Sequence, residues 1–380
     1  MQKSGLLHNL SLTIAISKRK GKERKMMNKL TLKAAIAIVV LMQVICLVGC
    51  TASSQEQPQA EKRTIVDMEG RTVEIPGKIE RIACQSSTCE AVIISLGEAM
   101  KLVGTTDYTD ESTYAYDLSP ELSGVNKLTD DMSVEEMLEK NVQVVFVKDT
   151  NKIETYEEAG LPVIYVKLDT IAGTKEGIRI MGEVIGAKEQ AEKCVEYINE
   201  SEQLVRDRLA NADNNLFSAY YSRAKYAESN LLTTYAASHI YSEWIGISGG
   251  TVITKDMELA ETKGGVVING EELVSANPDI IFVGGYYRNP VYNDALTGEY
   301  RSVLDAVKNG KVYMVPTSVT DWSVGSCELG LTTLWCAKLV APELFSDINM
   351  TEEVISFYKD IAGIEVSEEL ANSILSSGKN

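Results

Sequence analysis

The sequence predicts an α/β chain of two lobes, each built on a short parallel sheet and joined by a single long helix. Three observations carry this. Short continuous apolar runs recur at Val142–Val147, Val163–Val166, Ile280–Val283 and Val312–Val315. Such runs suit strands buried on both faces of a parallel sheet. From Lys188 to Ala210, apolar residues fall mostly at three- and four-residue steps (Ala191, Cys194, Val195, Ile198, Val205, Leu209). That is one amphipathic helix of about 30–35 Å. Strand–helix alternation stands on both sides of it, so the lobes read as Rossmann-like.

Taken in order, Thr64–Asp67 and Arg71–Ile75 flank Met68-Glu69-Gly70 and read as a hairpin closed at a glycine turn. Ile79–Cys84 reads as a strand and Glu90–Glu98 as a helix ending near Gly97. Leu216–Tyr221 is the first strand after the long helix. An internal echo links the two sides: Val134–Val147 aligns without gaps on Gly270–Val283, with five identities in fourteen positions. Each copy is a short helix entering a buried strand. Ser133 with Glu136, and Asn269 with Glu272, have capping-box spacing. Glu135 and Glu271 are then left without a capping task, one in each lobe. Taken singly they would only favour the helix dipole, by about 0.3–1 kcal/mol each.

Composition bounds the function. Apolar residues are 44% and charged residues 24%, which is globular composition. The formal charge is −17, with 37 Lys+Arg against 54 Asp+Glu. Beyond residue 49 the balance is 28 against 53. Such a surface repels phosphate backbones, so no nucleic-acid partner is expected. His8 and His239 are the two histidines, too few for a His-rich zinc site, and no metal site is assigned. The seven cysteines are widely spaced without a C-x-x-C pair, unlike a disulfide scaffold. Cys84 and Cys89 are open to packing, a free thiol or pairing, and the state of Cys327 and Cys336 is equally open. No nucleophile elbow, Walker loop, dinucleotide fingerprint or zincin helix is present. Ser326-Cys327-Glu328 would have only His239 as a base, so the chain is not expected to be an enzyme.

The N-terminus reads as an address. Lys29 and Lys33 precede an apolar run, Ala34–Gly49, that is short for a bilayer span. Leu47-Val48-Gly49-Cys50 then leads into a polar stretch, Thr51–Gln59. This resembles a bacterial lipoprotein signal, which implies lipidation of Cys50 and anchoring of the rest on the outer face of the cell membrane. A simple transmembrane anchor is the competing reading. The expected division is 1–49 signal peptide, with 1–25 an extension upstream of the true start. Residues 50–62 form the lipidated cysteine and tether, 63–172 the N-terminal lobe, 173–212 the linker with the spine helix, and 213–380 the C-terminal lobe.

Asp67–Pro76, Glu80-Arg81-Ile82, Leu96-Gly97 and Leu102-Val103-Gly104 resemble the opening of substrate-binding proteins of ABC importers. Gly160-Leu161-Pro162-Val163, Asn277–Ile281, Ala306–Tyr313 and Pro342–Phe345 match later signatures. The branch is the helical-backbone (class III) one for ferric siderophores, haem and cobalamin, and the likeness covers roughly residues 63–375. One departure is Val142-Gln143, where the family has Pro-Asp before its strand. The resemblance implies a receptor that captures a chelate in a cleft between lobes. It implies delivery to an ABC permease dimer with its ATPase, with Glu135 and Glu271 at the family's permease-docking positions. The cargo expected is a ferric siderophore, with haem or a corrinoid as alternatives; the protein itself carries no cofactor, the iron or cobalt belonging to the chelate. A surface sensor or adhesin reusing the fold is the reading of another class. Bare zinc or manganese import is disfavoured by the shortage of histidine.

Ligands of open α/β sheets bind beyond the carboxyl ends of strands. That rule nominates Ser86, Ser87, Tyr108, Tyr221, Arg223, Tyr286, Tyr287, Arg288 and Trp322 for the cargo. Aromatic rings give rigid contact area, and the two arginines can fork onto an anionic chelate. For each tyrosine the competing role is partial burial, and for each arginine a surface ion pair. His239 could ligate a metal centre but more simply packs within a helical segment, Ala236–Tyr241.

Overall fold

The computed structural model describes residues 61–106, 113–125, 132–211, 216–224, 226–227, 229–262 and 265–376. Residues 61–380 form one compact unit. Strands β1 (Lys62–Val66) and β2 (Thr72–Pro76) pair antiparallel, with Gly70 supplying the left-handed turn at φ +75°. Then follow β3 (Ile82–Cys84), α1 (Ser87–Ser95), α2 (Val134–Glu139), β4 (Val144–Val147), α3 (Ile153–Glu158) and β5 (Val163–Tyr165). β3, β4 and β5 form a parallel sheet with β4 in the middle.

Helix α4 (Ile171–Ile185) and the long α5 (Lys188–Leu209) come next. The second lobe contains β6 (Phe217–Arg223), β7 (Thr233–Thr234), α6 (Ile240–Ile247), β8 (Gly250–Val252), β9 (Ala260–Thr262), β10 (Gly265–Val267), α7 (Gly270–Ala276), β11 (Ile280–Gly284), α8 (Arg288–Thr297) and β12 (Val312–Met314). Its main sheet runs β12-β11-β6-β8, every pair parallel, and β7-β10-β9 make a small antiparallel sheet. Helices α9 (Leu329–Val340), α10 (Met350–Phe357) and α11 (Glu368–Leu375) close the chain.

The apolar strand runs are explained by what covers each face. In β4, Val144 and Phe146 join one core cluster while Val145 and Val147 join another with α2 and α3. In β11, Ile280 and Phe282 join the same first cluster, and Ile281 and Val283 a third with α7 and α8. The alternation has a period of two. One central core therefore serves both lobes, and α4 and α5 lie within it.

Several elements differ from the sequence reading. Helix α1 starts at Ser87 rather than Glu90, because the Ser86 hydroxyl accepts the Thr88 amide and caps it. Helix α4 occupies what reads as linker. Its Gly173, Gly177 and Gly182 weaken the helical pattern, yet a side chain at Gly182 would meet the Ala191 methyl at 2.3 Å. Glycine is needed for α4 to approach α5 so closely. His239 is not inside a helix; it is the residue just before α6.

The internal echo is real in three dimensions. Asn141 and Asn277 end their helices at φ +52° and +40°, and among the described residues they are the two non-glycine residues in the left-handed region. Gln143 Oε1 accepts the amides of Glu80 (2.7 Å) and Arg81 (3.0 Å), while the matching Asp279 accepts the amide of Ser218 at 2.8 Å. Gln143 thus does the bridging job of the family's aspartate. The caps differ: Ser133 and Glu136 form a full capping box, whereas Asn269 accepts the Glu271 amide at 2.8 Å.

Candidate functional site

The carboxyl ends of both parallel sheets meet. Beyond β3 the chain enters α1, beyond β11 it turns through Gly285 to Arg288, and the Tyr286 hydroxyl donates to Ser87 Oγ at 2.9 Å. The Tyr114 amide likewise donates to the Ser318 carbonyl at 2.8 Å. These bonds join the lobes across the cleft.

The turn after β11 is tightly built. Gly285 has φ +112°, and a side chain there would lie 2.5 Å from the Ala224 carbonyl, so glycine is required. The Ala224 amide donates to Gly284 and the Tyr287 amide to Ala224, each at 2.7 Å. Asp321, buried, accepts the Gly285 amide at 2.6 Å, and Arg288 donates to the Gly285 carbonyl at 3.0 Å. Arg288 is itself buried, so it is no surface ion pair.

Arg223, at the end of β6, lies over the Tyr235 ring at 4.2 Å and near Tyr226 at 5.6 Å. The His239 ring stacks on Tyr235 at 3.9 Å, tilted by 6°. One ring face cannot hold both groups that close to its centre, so Arg223 and His239 take opposite faces. Tyr221 stacks on Tyr241 at 4.7 Å, and its hydroxyl pairs with Ser323 at 2.6 Å. The cation–π contact holds Arg223 in one orientation.

Burial sets the protonation states. It raises the phenols of Tyr221, Tyr235 and Tyr286, keeping them neutral hydrogen-bonding groups. Burial, with the nearby Arg223 charge, pushes His239 down to about 4, so its imidazole is neutral at pH 7. Burial also raises Asp321 and lowers Arg288, each offset in part by the other's charge. Lys148, beyond β4, acts electrostatically on both Cys89 in one lobe and His239 in the other. Lys148 of one lobe therefore lies within electrostatic reach of His239 of the other.

Of the nominated residues, Ser86, Ser87, Tyr221, Arg223, Tyr286 and Arg288 lie at these strand ends, with Ser86, Tyr221 and Arg288 buried. Tyr287 lies at the rim, 43% exposed. Trp322 needs correction: it is 0% exposed, its indole donating to Ser318 at 2.9 Å, so it is core rather than cleft wall. An indole among apolar neighbours with one satisfied donor gains more from burial than from cargo contact. Tyr108 and Cys50 lie outside the described residues. Cys84, Cys89, Cys194, Cys327 and Cys336 are all free and buried, with Cys89 pushed up to about 12 by burial. Among the described residues no group of three or more His, Cys, Asp or Glu could hold a metal ion. The sequence reading missed Tyr235 as the platform for Arg223; a tyrosine following two threonines carries no local mark of that task.

Two lobes with parallel sheets and a long joining helix are the architecture of solute-binding proteins, which are not enzymes. The chain belongs to the periplasmic binding protein family, whose model matches residues 82–319. It is 24% identical over 341 residues to the molybdate-binding protein MolA of Haemophilus influenzae, spanning 82% of this chain and 94% of MolA. A periplasmic solute-binding protein of Veillonella parvula superposes with a TM-score of 0.70 at 25% identity, covering 83% of this chain and 97% of that one. The nickel–histidine complex of CeuE from Helicobacter pylori superposes with a TM-score of 0.66 at 20% identity, covering 81% and 98%. The protein is a solute-binding member of this extracytoplasmic family.

Proposed function

We propose that this receptor, anchored through lipid on Cys50, captures a metal-bearing anion in the cleft and delivers it through Glu135 and Glu271 to its permease. A ferric siderophore is the first reading of the cargo. The observation that carries it is Arg223 held on the Tyr235 ring at the carboxyl end of β6, in a chain of formal charge −17. A guanidinium fixed at the strand ends of so acidic a protein serves an anion. A small metal oxoanion is the second reading. It is favoured by the likeness to MolA and by the 2.9 Å Tyr286–Ser87 bond, which already draws the lobes together. Haem and corrinoids compete within the same cleft.

Native mass spectrometry of the protein from its own host reads both the lipidated Cys50 and any retained cargo. Titration with ferric hydroxamate, ferric catecholate, molybdate and cyanocobalamin then separates the readings. We expect an anion to bind, and Arg223→Leu to weaken it at least about tenfold, the loss of one charge-assisted pair. Binding of cyanocobalamin alone, or unchanged anion affinity in Arg223→Leu, would overturn the proposal.

A further inference from the structure

The echoed helices α2 and α7 carry more than their glutamates. Each buries one apolar side chain, Met137 or Leu273, fully. Each then exposes the next apolar position: Leu138 is 49% exposed and Val274 36%. In the gapless alignment Leu138 falls on Val274, as Glu135 falls on Glu271. The acid and the apolar residue are three apart, hence neighbours on one helical face. Glu135 and Glu271 are exposed, and no ion pair involves either among the described residues. Among the described residues no side-chain hydrogen bond or ion pair uses either member of either couple.

We infer that Glu135 with Leu138, and Glu271 with Val274, are two copies of one docking couple. The occupant is the ABC permease, whose outer face must then present a basic residue beside an apolar socket, twice. Charge complementarity selects the basic residue; the repeat in this chain selects a partner built of two like halves. The acids steer the encounter, and the apolar pair supplies contact that salt does not screen. This rests on the docking role proposed for the two glutamates.

The test is the affinity of the full, cargo-loaded receptor for its cognate permease in nanodiscs, at low and high salt, with transport measured alongside. Glu135→Ala with Glu271→Ala should abolish transport and weaken docking most at low salt, with cargo still bound. Leu138→Ser with Val274→Ser should weaken docking on the order of tenfold at both salt concentrations. Leu344→Ser, at another exposed apolar residue (46%), should change nothing. If the apolar double variant docks normally while the glutamate variant fails, or if Leu344→Ser costs as much, the inference falls and the docking role stands. If the glutamate variant also docks and transports normally, the docking role itself falls.

Discussion

The two lobes agree on their outer ends and disagree at the cleft. On the outside, α2 with β4 and α7 with β11 share a left-handed asparagine at the helix end, a side-chain bridge to the neighbouring strand, and an exposed glutamate–aliphatic couple. At the cleft, the N-terminal lobe brings small hydroxyls at the start of α1 and Lys148. The C-terminal lobe brings Arg223, Arg288 and the Tyr235–His239 stack. A partner with repeated halves rewards likeness, whereas a single small cargo has no such symmetry to match.

Glu328 is where the comparison can be broken hardest. Its buried Oε1 accepts Ser95 of one lobe (3.0 Å) and Ser318 (3.0 Å) and Tyr358 (2.7 Å) of the other. Glu328→Ala leaves three buried hydroxyls without this acceptor, at about 1 kcal/mol each, so a loss of about 3 kcal/mol is expected in urea denaturation. A loss below about 1 kcal/mol would show that the joint is not energetically important.

The stack makes the C-terminal lobe the acid-sensitive one. An unfolded imidazole takes its proton near pH 6.5, the folded His239 near 4. Between those values the unfolded chain binds more protons, so stability falls as the pH falls through 6.5 toward 4. The expected loss from this group is about 2 kcal/mol between pH 7 and pH 5. His239→Phe, which keeps a ring on Tyr235, should remove that part of the slope; an unchanged slope would refute the assignment.

The smallest effect sharpens the outer likeness. Asn141→Ala and Asn277→Ala should each cost about 1 kcal/mol, because alanine tolerates the left-handed region poorly. Glycine should cost nothing at Asn141, and at Asn277 only the two bonds its side chain makes with Asp305. A stabilising or neutral Asn141→Ala would show that the helix end is not strained by a side chain.

Much of this was legible beforehand, for physical reasons. Strands covered on both faces leave continuous apolar runs, so β4, β5, β11 and β12 could be read directly. The echo was readable because a helix end, a turn and a strand must repeat together. The cleft was harder. Arg223 was nominated by its place after a strand, but Tyr235 serves it from another element, and no spacing encodes that meeting. Trp322 was misplaced because proximity in sequence to a nominated loop says nothing about which way a ring turns. Helix α4 was hidden by the glycines that its close packing demands.

The central core common to both lobes has a mechanical corollary. Ile280 and Phe282 of one sheet and Val144 and Phe146 of the other belong to the same dry interior, with Glu328 bonded across it. Prising the halves apart would wet that interior, so a cargo that needs only the Tyr286–Ser87 and Tyr114–Ser318 bonds to open is expected to load with little swing. Small-angle scattering of empty and filled receptor should then give nearly the same radius of gyration. A partner that responds to loading would then read local change at the cleft mouth instead of a wide jaw motion.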